Sequence, residues 1–126
     1  MNTVTLGRQG EEKALRILKD NGYQIIARNV RSRFGEIDLV ARDGRTLCFV
    51  EIKARTSIRF GFPEEGVSRV KQRRLIRLAQ WYLQRYRLND SPVRFDVVSL
   101  LLDSNGAEVR TRLIKGAFDA SGFSLI

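Results

Sequence analysis

The segment GEIDLVARDGRTLCFVEIKAR, from Gly35 to Arg55, constrains the fold most strongly because it predicts two β-strands joined by a tight turn. The dipeptide Asp43-Gly44 marks this turn, since it tolerates the positive φ angles of a two-residue hairpin loop. A turn at that dipeptide fixes the register between the strands. The cross-strand pairs that follow are Arg42 with Arg45, Asp38 with Phe49, and Glu36 with Glu51.

Side chains alternate between the two faces of a strand, and this alternation gathers charge on one face of the hairpin. One face of the first strand carries Ile37, Leu39 and Ala41. The other face of the hairpin carries three carboxylates and a lysine, from Glu36, Asp38, Glu51 and Lys53. Asp38 and Glu51 are diagonal neighbours about 7–8 Å apart, a distance that one hydrated divalent ion can bridge.

Composition excludes several classes of enzyme. The 126 residues predict one domain, residues 1–126. The chain has no histidine, which excludes Ser-His-Asp and Cys-His catalysis, HEXXH zinc sites and histidine-based nucleases. The single cysteine, Cys48, excludes an internal disulfide and a multi-cysteine zinc site, and its apolar neighbours predict a core position. An enzyme of this composition works with carboxylates, Lys, Arg, Tyr, Ser or a hard metal ion.

The net charge predicts a polyanionic partner. The chain has 23 Lys and Arg against 14 Asp and Glu, a formal net charge of +9, and nucleic acid is the first candidate. The alternative is a solvated, soluble surface. No run of 18 apolar residues occurs, and the N-terminal segment lacks a hydrophobic signal sequence. These absences predict a cytoplasmic protein that does not enter the membrane.

Apolar spacing predicts a first helix from Leu6 to Asn21. Its buried stripe comprises Ala14, Leu15 and Leu18. Glu11 has the i+3, i+4 and i+7 spacing of that stripe, whereas Glu12 faces outward. An inward carboxylate in the first turns is either a functional group or a residue that favours the helix dipole.

A second helix is predicted from Arg69 to Leu88, with Ser68 as its N-cap. Its buried stripe comprises Leu75, Leu78, Ala79, Tyr82 and Tyr86. Lys71 lies one turn before Leu75 on this inner stripe. It is either a functional charge or a side chain that snorkels at the helix end.

The rest of the chain completes the order α-β-β-β-α-β-β. The further strands predicted are Tyr23–Asn29, Phe95–Leu102 and Ala107–Ile114, of which the last suits a sheet edge. The loops predicted are VRSRFG after the first strand, a mobile segment Thr56–Gly66 beside the open end of the hairpin, and a flexible tail Gly116–Ile126. For Asp96, which opens a strand, we predict a turn-capping role in preference to a catalytic one.

Asp38 and Glu51, together with the Ile52 main-chain carbonyl, offer the oxygen ligands that Mg²⁺ or Mn²⁺ prefers. Such a metal can lower the pKa of a bound water and stabilise charge on a phosphate. Lys53 projects from the same face and can act as a general base or stabilise developing charge. Neighbouring carboxylates keep a lysine protonated, which favours electrostatic stabilisation.

The pattern D-x(12)-E-x-K, from Asp38 to Lys53, resembles the signature of the PD-(D/E)xK nuclease superfamily. The segments LGRQGEEKALRIL, GYQIIARN, FGEIDLVARDG, FVEIKAR and VRFDVV together resemble the YraN-type family, small bacterial proteins related to archaeal Holliday-junction resolvases. This resemblance covers most of the chain, from Leu6 to Leu100. Ile37 stands where the superfamily motif has proline.

The resemblance implies a restriction-endonuclease-like α/β core, a mixed central sheet flanked by helices. It also implies a Mg²⁺ or Mn²⁺ site with Asp38 and Glu51 as ligands, Lys53 as the catalytic lysine and Glu11 as the helix-one glutamate. Glu36 belongs to the GEIDL signature, where it is a second ligand, a partner of a ligand or a structural anchor.

Three functions follow as hypotheses. The first is a metal-dependent endonuclease that hydrolyses DNA phosphodiester bonds, at branched or structured DNA. The phosphate backbone would be held by Arg31, Arg33, Arg55, Arg59 and Lys71. A homodimer, which the resolvase resemblance implies, would place two sites on a junction. The second hypothesis is a nucleic-acid-binding module with an inactive or partner-dependent site, and the third is a protein-interaction adaptor.

Overall fold

Two helices flank one sheet in the computed structural model, which describes residues 3–120. The elements are α1 (Thr3–Asp20), β1 (Gln24–Ser32), β2 (Gly35–Asp43), β3 (Thr46–Arg55), a short 3₁₀ helix η1 (Pro63–Gly66), α2 (Arg69–Arg85), β4 (Val93–Leu102) and β5 (Glu108–Phe118). This order confirms the predicted α/β class and the sequence α-β-β-β-α-β-β.

The sheet is mixed, as predicted, with strand order β1-β2-β3-β4-β5. Strands β1, β2 and β3 form an antiparallel meander, β4 runs parallel to β3, and β5 returns antiparallel to β4. A parallel pair needs a long crossover, which η1 and α2 provide. Strand β5 lies at an edge of the sheet, as its alternating charges predicted.

Each face of the sheet carries its own apolar core. On the α1 side, Leu15 and Leu18 pack against Val50 and Leu100, and Cys48 is buried there as predicted. On the α2 side, a second cluster is centred on Phe49, whose ring meets that of Tyr82 edge to face at 5.6 Å. No helix in the described part of the chain is both long and apolar enough to cross a lipid bilayer.

The helix ends follow local sequence signals. The α1 helix ends before Gly22, which has φ +85 and a left-handed conformation that glycine tolerates. Ser68 caps α2 as predicted, because its hydroxyl accepts a hydrogen bond from the Lys71 amide at 3.3 Å. The α2 helix ends at Arg85, before the predicted Leu88, and Tyr86 is 49% exposed, so its predicted place in the buried stripe is wrong.

The hairpin is present, but its turn lies one residue later than predicted. Asp43 pairs with Thr46, so the two loop residues are Gly44 and Arg45. Gly44 has φ +62 at the first loop position, where glycine is favoured in hairpin turns. The pairs predicted for Arg42, Asp38 and Glu36 are therefore wrong by two residues. Arg42 in fact pairs with Leu47, and the same register continued beyond Leu39–Val50 sets Asp38 opposite Glu51.

The strict alternation predicted along β2 is also interrupted. Leu39 packs in the α1-side core, whereas Ile37 packs with Val40 in the α2-side core, so Ile37 and Leu39 do not share a face. The interruption falls at Asp38, which the β1–β2 register sets opposite Asn29. Asn29 has φ +49, a left-handed conformation inside a strand.

Three smaller predictions need correction. The segment predicted as a loop after the first strand is mostly strand, because β1 extends to Ser32 and includes Arg31. The predicted tail is strand from Gly116 to Phe118, and positions 121–126 lie outside the described residues. Asp96 is no turn cap: it lies within β4, fully buried.

Asp96 is the centre of a buried polar network at the hairpin-turn end of the sheet. Its carboxylate accepts hydrogen bonds from the Tyr23 hydroxyl at 2.7 Å, the Arg94 guanidinium at 2.8 Å and the Gly116 amide at 2.9 Å. Arg94 also donates to Asp43 at 2.8 Å. Burial alone would raise the pKa of Asp96, but these donors hold it below its usual range. The network is a structural tie between β2, β4 and β5.

Candidate active site

Asp38 lies where the β2–β3 ladder opens. The ladder's regular pairs stop at Leu39 and Val50, and beyond them the Ile52 amide donates to Oδ2 of Asp38 at 2.9 Å. The pKa of this carboxyl is raised to about 7, first because burial penalises its charge and second because the Glu51 carboxylate lies close by. The structure thus brings the two predicted metal ligands together.

Glu51 and Lys53 form an ion pair at the same end of the sheet, with Lys53 Nζ 3.6 Å from Glu51 Oε1. Both side chains are about one-fifth exposed, at 20% and 21%. In an extended strand the N–H and C=O of one residue point toward the same neighbour. Because the Ile52 amide points to Asp38, the Ile52 carbonyl is directed into the same gap between β2 and β3.

A cleft of about 360 Å³ connects these groups with α1. It is lined by Leu6, Gly7, Glu11, Asn29, Asp38, Ile52, Lys53 and Ala54. We call it the site cleft. Glu11 faces into it, as the helix stripe predicted, while Glu12 is exposed on the outer surface. The cleft therefore brings Glu11, Asp38 and Lys53 together from three separate elements.

Glu11 is held in place by partners on β1. Its Oε1 accepts hydrogen bonds from the Arg28 guanidinium at 2.9 Å and from the side-chain Nδ2 of Asn29 at 2.9 Å. The sequence analysis missed both partners. A signal was present for Asn29, because asparagine is among the residues that tolerate the left-handed conformation seen there. Nothing in the sequence pattern singled out Arg28.

Lys71 reaches the site from α2. Its side chain is exposed, so the prediction that it lies on the buried side of the helix is wrong. Its ammonium nevertheless lies beside that of Lys53, and this contact, more than desolvation, lowers the pKa of Lys71. The cluster therefore holds two adjacent cations next to Glu51.

The arginines predicted to hold phosphate are arranged in different ways. Arg31 pairs with Glu36 at 3.3 Å on the surface, across the β1–β2 pair. Arg33 lies in the β1–β2 turn, over the Phe34 ring. Arg55 donates to the carbonyls of Phe60 and Gly61, so it orders the loop after β3. Arg59 lies over the Phe60 ring in that loop.

Side-chain ligands for a metal are few. Within residues 3–120, no three carboxylate or thiolate side chains converge into a ligand group. The available oxygen donors are the carboxylates of Asp38 and Glu51 and the Ile52 carbonyl. Water and substrate would complete the coordination shell of a hard cation held by so few protein groups.

Comparison with known proteins gives consistent matches over most of the chain. Residues 10–100 match the model of a family described as "Uncharacterised protein family UPF0102". A UPF0102 protein of Symbiobacterium thermophilum is 51% identical over 115 residues, which cover 91% of this chain and 97% of that protein. One of Lachnoclostridium phytofermentans is 49% identical over 97% of this chain and 99% of its own length. One of Caldicellulosiruptor saccharolyticus is 43% identical over 94% of this chain and 100% of its own length.

Proposed function

Because the chain belongs to the uncharacterised family UPF0102, the YraN-type family that its sequence predicted, we propose a function from the chemistry of its site cleft. The proposed function is that of a metal-dependent endonuclease that hydrolyses phosphodiester bonds of DNA, at branched or structured DNA. Family membership itself assigns no activity.

The observation that supports this proposal most is the unfavourable position of Asp38. A partly buried carboxylate beside Glu51, with its pKa raised to about 7, costs folding free energy. Unfavourable free energies of this kind are common in active sites, because the charged groups that take part in the reaction are held close together and away from water. A divalent cation between the two carboxylates would offset their repulsion.

The donor set suits a hard cation such as Mg²⁺ or Mn²⁺. Asp38, Glu51 and the Ile52 carbonyl supply only oxygen, and the described residues offer no histidine or clustered thiolate that would favour a softer metal. Such an ion, when bound, supplies a water of lowered pKa and stabilises charge on the phosphate.

The chain's own residues then have distinct roles. Lys53, held by Glu51, is aimed into the site cleft, where its ammonium stabilises negative charge on the scissile phosphate. Lys71 lies beside it and adds positive charge for the incoming strand. Glu11, fixed by Arg28 and Asn29, orients a water or a ligand from the opposite wall.

DNA cleavage tests the proposal. Linear, single-stranded and four-way-junction DNA are incubated with the wild type, Asp38→Ala and Lys53→Ala, in Mg²⁺, Mn²⁺ or EDTA. We expect cleavage by the wild type only with metal, and a loss of at least about 100-fold in both variants. Glu12→Ala is the matched control, because Glu12 is an exposed glutamate one residue from Glu11 and outside the cleft. Cleavage that survives in both variants would refute the assigned roles.

A binding module is the second candidate, and one observation favours it. The described residues contain no group of three acidic ligands, and Glu51 is already paired with Lys53. Salt-sensitive binding of DNA without cleavage in any metal would support this candidate. If the protein neither binds nor cleaves DNA, an adaptor role would remain.

Dimerisation is a further proposal. The β5 strand is an edge of the sheet, and an edge presents unpaired backbone groups to a second strand. Two copies paired there would place two site clefts on one junction.

A further inference from the structure

The tripeptide Arg-Phe-Gly occurs twice, at 33–35 and at 59–61, and both copies form tight turns near the site cleft. In the first, Ser32 pairs with Gly35 across the β1–β2 turn, and the Phe34 amide donates to the Ser32 hydroxyl at 3.0 Å. In the second, the Gly61 amide donates to the Ile58 carbonyl at 2.9 Å. We call these segments the RFG turns.

The two RFG turns share their geometry. Each has its Arg-Phe pair at the centre of a four-residue turn that ends in a glycine of positive φ, +128 at Gly35 and +100 at Gly61. In each, the arginine guanidinium lies over the neighbouring ring, 4.8 Å from the Phe34 centroid and 5.5 Å from the Phe60 centroid. Such distances are those of cation–π pairs.

Both rings are open to solvent, which folding alone does not explain. Phe34 is 39% exposed and Phe60 is 83% exposed. Neither ring belongs to the apolar clusters on the two faces of the sheet. A single exposed apolar side chain is ordinary, but two phenylalanines in the same arginine-backed turn beside one cleft point to a shared ligand.

Each RFG turn adjoins a part of the site. Phe60 lines a depression with Arg55, and Leu6 and Ala54 line both that depression and the site cleft. Phe34 lines a groove of about 220 Å³ with Val70, Arg73, Arg74 and Arg77 of α2. Arg74 in turn lies one helical turn after Lys71, which touches Lys53. The depression at Phe60 is therefore continuous with the site cleft, whereas the groove at Phe34 is separate from it and is linked to it along α2 through Lys71 and Lys53.

The charge beside Phe34 is one-sided. The helix Arg69–Arg85 contains six basic residues and no acidic residue. A polyanion laid along this helix would therefore meet charges of one sign from the helix itself.

The combination of an open aromatic ring and neighbouring arginines fits nucleotides whose bases are unpaired. Proteins that bind single strands join a basic groove, which follows the phosphates, to aromatic rings on which bases stack. In a continuous duplex the base faces are hidden by stacking, so these rings would have no base to contact. A groove of about 220 Å³ is also smaller than the roughly 300–1,000 Å³ of a usual small-molecule site, and it has room for one ring system.

We propose that the two RFG turns bind unpaired nucleotides on either side of the site cleft, with Phe34 and Phe60 each stacking on a base while neighbouring arginines hold phosphates. The substrate class is then DNA that has single-stranded segments next to the scissile bond. This inference rests on the proposed nuclease function for its biological meaning, but the binding it describes does not require cleavage.

Binding in EDTA tests the proposal without any contribution from cleavage. Fluorescence anisotropy compares a single-stranded oligonucleotide with the duplex of the same length, for the wild type, Phe34→Ala, Phe60→Ala and the double variant. Each single substitution should weaken single-strand binding at least about five-fold, the equivalent of about 1 kcal/mol for one lost stack. Duplex binding should be unchanged. Phe→Trp at either position should retain binding, whereas Phe→Leu should not.

Tyr86→Ala is the matched control. Tyr86 is a half-exposed aromatic residue beneath the guanidinium of Arg85, 5.3 Å from the ring centroid, at the far end of α2. Single-strand binding by this variant should equal that of the wild type. Thermal melting of every variant establishes that the fold is retained, which we expect because both RFG turns are exposed.

Two results would overturn the inference: equal loss of single-strand and duplex binding, or no loss in the double variant. Its failure and that of the nuclease proposal are distinguishable. If metal-dependent cleavage is absent but the phenylalanines still govern single-strand binding, the nuclease proposal falls and this inference stands. If cleavage occurs and the phenylalanines have no effect on binding, the reverse holds.

Discussion

Asp38 is kept in a position that is unfavourable for its charge. Its pKa is raised to about 7, above the ordinary value of an aspartate, chiefly by burial and then by Glu51. Between about pH 4 and pH 7 the folded chain therefore binds more protons at this carboxyl than the unfolded chain does. The free energy of unfolding that this group contributes is fully present at low pH and is lost as pH rises toward 7.

Asp38→Asn should accordingly stabilise the protein while removing the proposed activity. At pH 8 in EDTA we expect the free energy of unfolding to rise by on the order of 1–2 kcal/mol, because the neutral amide avoids the desolvated charge. Its oxygen can still accept the hydrogen bond from the Ile52 amide. Urea denaturation measures the change, with Asp90→Asn, an exposed position, as the control. A less stable Asp38→Asn protein would show that the carboxylate is structural.

The sequence predicted that Asp38 and Glu51 lie close together, and they do so although two details of that prediction were wrong. The predicted register was wrong by two residues, a shift that keeps paired residues on matching faces, and the alternation along β2 is interrupted at Asp38. Asp38 and Glu51 are neighbours because the observed register, continued beyond Leu39 and Val50, sets them opposite each other. The shift itself follows from Asp43, which is drawn into the ladder and bonded to Arg94 and Lys115. Those partners lie far along the chain, where a local turn signal cannot reveal them.

The short helix η1 is fastened to the sheet by one carboxylate. Glu64 accepts hydrogen bonds from the Ser99 hydroxyl at 2.6 Å and from Arg112 at 2.9 Å, and it pairs with Arg110 at 3.0 Å. Ser99 is paired in the sheet with Lys53. Burial alone would raise the pKa of Glu64, but these hydrogen bonds hold it at about 2. Glu64 therefore fixes the loop after β3 beside Lys53.

Glu64→Gln should destabilise the protein at neutral pH by about 1–3 kcal/mol, since it leaves the partly buried Arg110 and the exposed Arg112 without their carboxylate. The folded-state pKa is lowered, so the stability that Glu64 contributes is present above about pH 4.5 and is lost as pH falls toward 2. The difference between wild type and variant in urea should shrink over that range. Asp90→Asn, at an exposed position, is the control. A constant difference down to pH 2 would contradict the ion-pair explanation.

Elements were more predictable than the contacts between them. Local signals mark the end of α1 and the start of α2. Gly22 follows α1 in a left-handed conformation and Ser68 caps α2, both as predicted. The contacts of Glu64 and Asp96 were not identified, because Glu64 bonds Ser99, 35 residues away, and Asp96 bonds Tyr23, 73 residues away in the chain. From the sequence alone, a charged residue in a loop or at the start of a strand is interpreted as a turn or surface residue. Its partner becomes apparent only in the folded structure.

At the scale of the whole molecule, the sheet separates the end that carries the Asp96 network from the end that carries the candidate site. The Asp96 network lies near the hairpin turn, whereas the site cleft lies where β2 begins and β3 ends. The basic residues on the RFG turns and the first turns of α2 surround this second end. These residues contribute to the net charge of +9 at the end of the sheet where we propose that DNA binds.

The salt dependence of DNA binding tests this arrangement of basic residues. Binding of DNA in EDTA should weaken steeply with salt, and Arg59→Gln should make the slope of log K against log[salt] shallower by about 0.7–0.9, the value for one lost phosphate contact. Arg45→Gln is the control, because Arg45 lies in the hairpin turn at the opposite end of the sheet. An identical slope for the wild type and Arg59→Gln would remove Arg59 from the interface.

Binding of Mn²⁺ measured by isothermal titration calorimetry tests the central claim most directly, because it requires neither the correct DNA substrate nor a partner. The wild type should bind Mn²⁺, Asp38→Asn and Glu51→Gln should lose that binding, and Glu12→Gln should retain it. If the wild type binds no Mn²⁺, or if Asp38→Asn and Glu51→Gln bind it as the wild type does, the metal site at the open end of the hairpin is refuted.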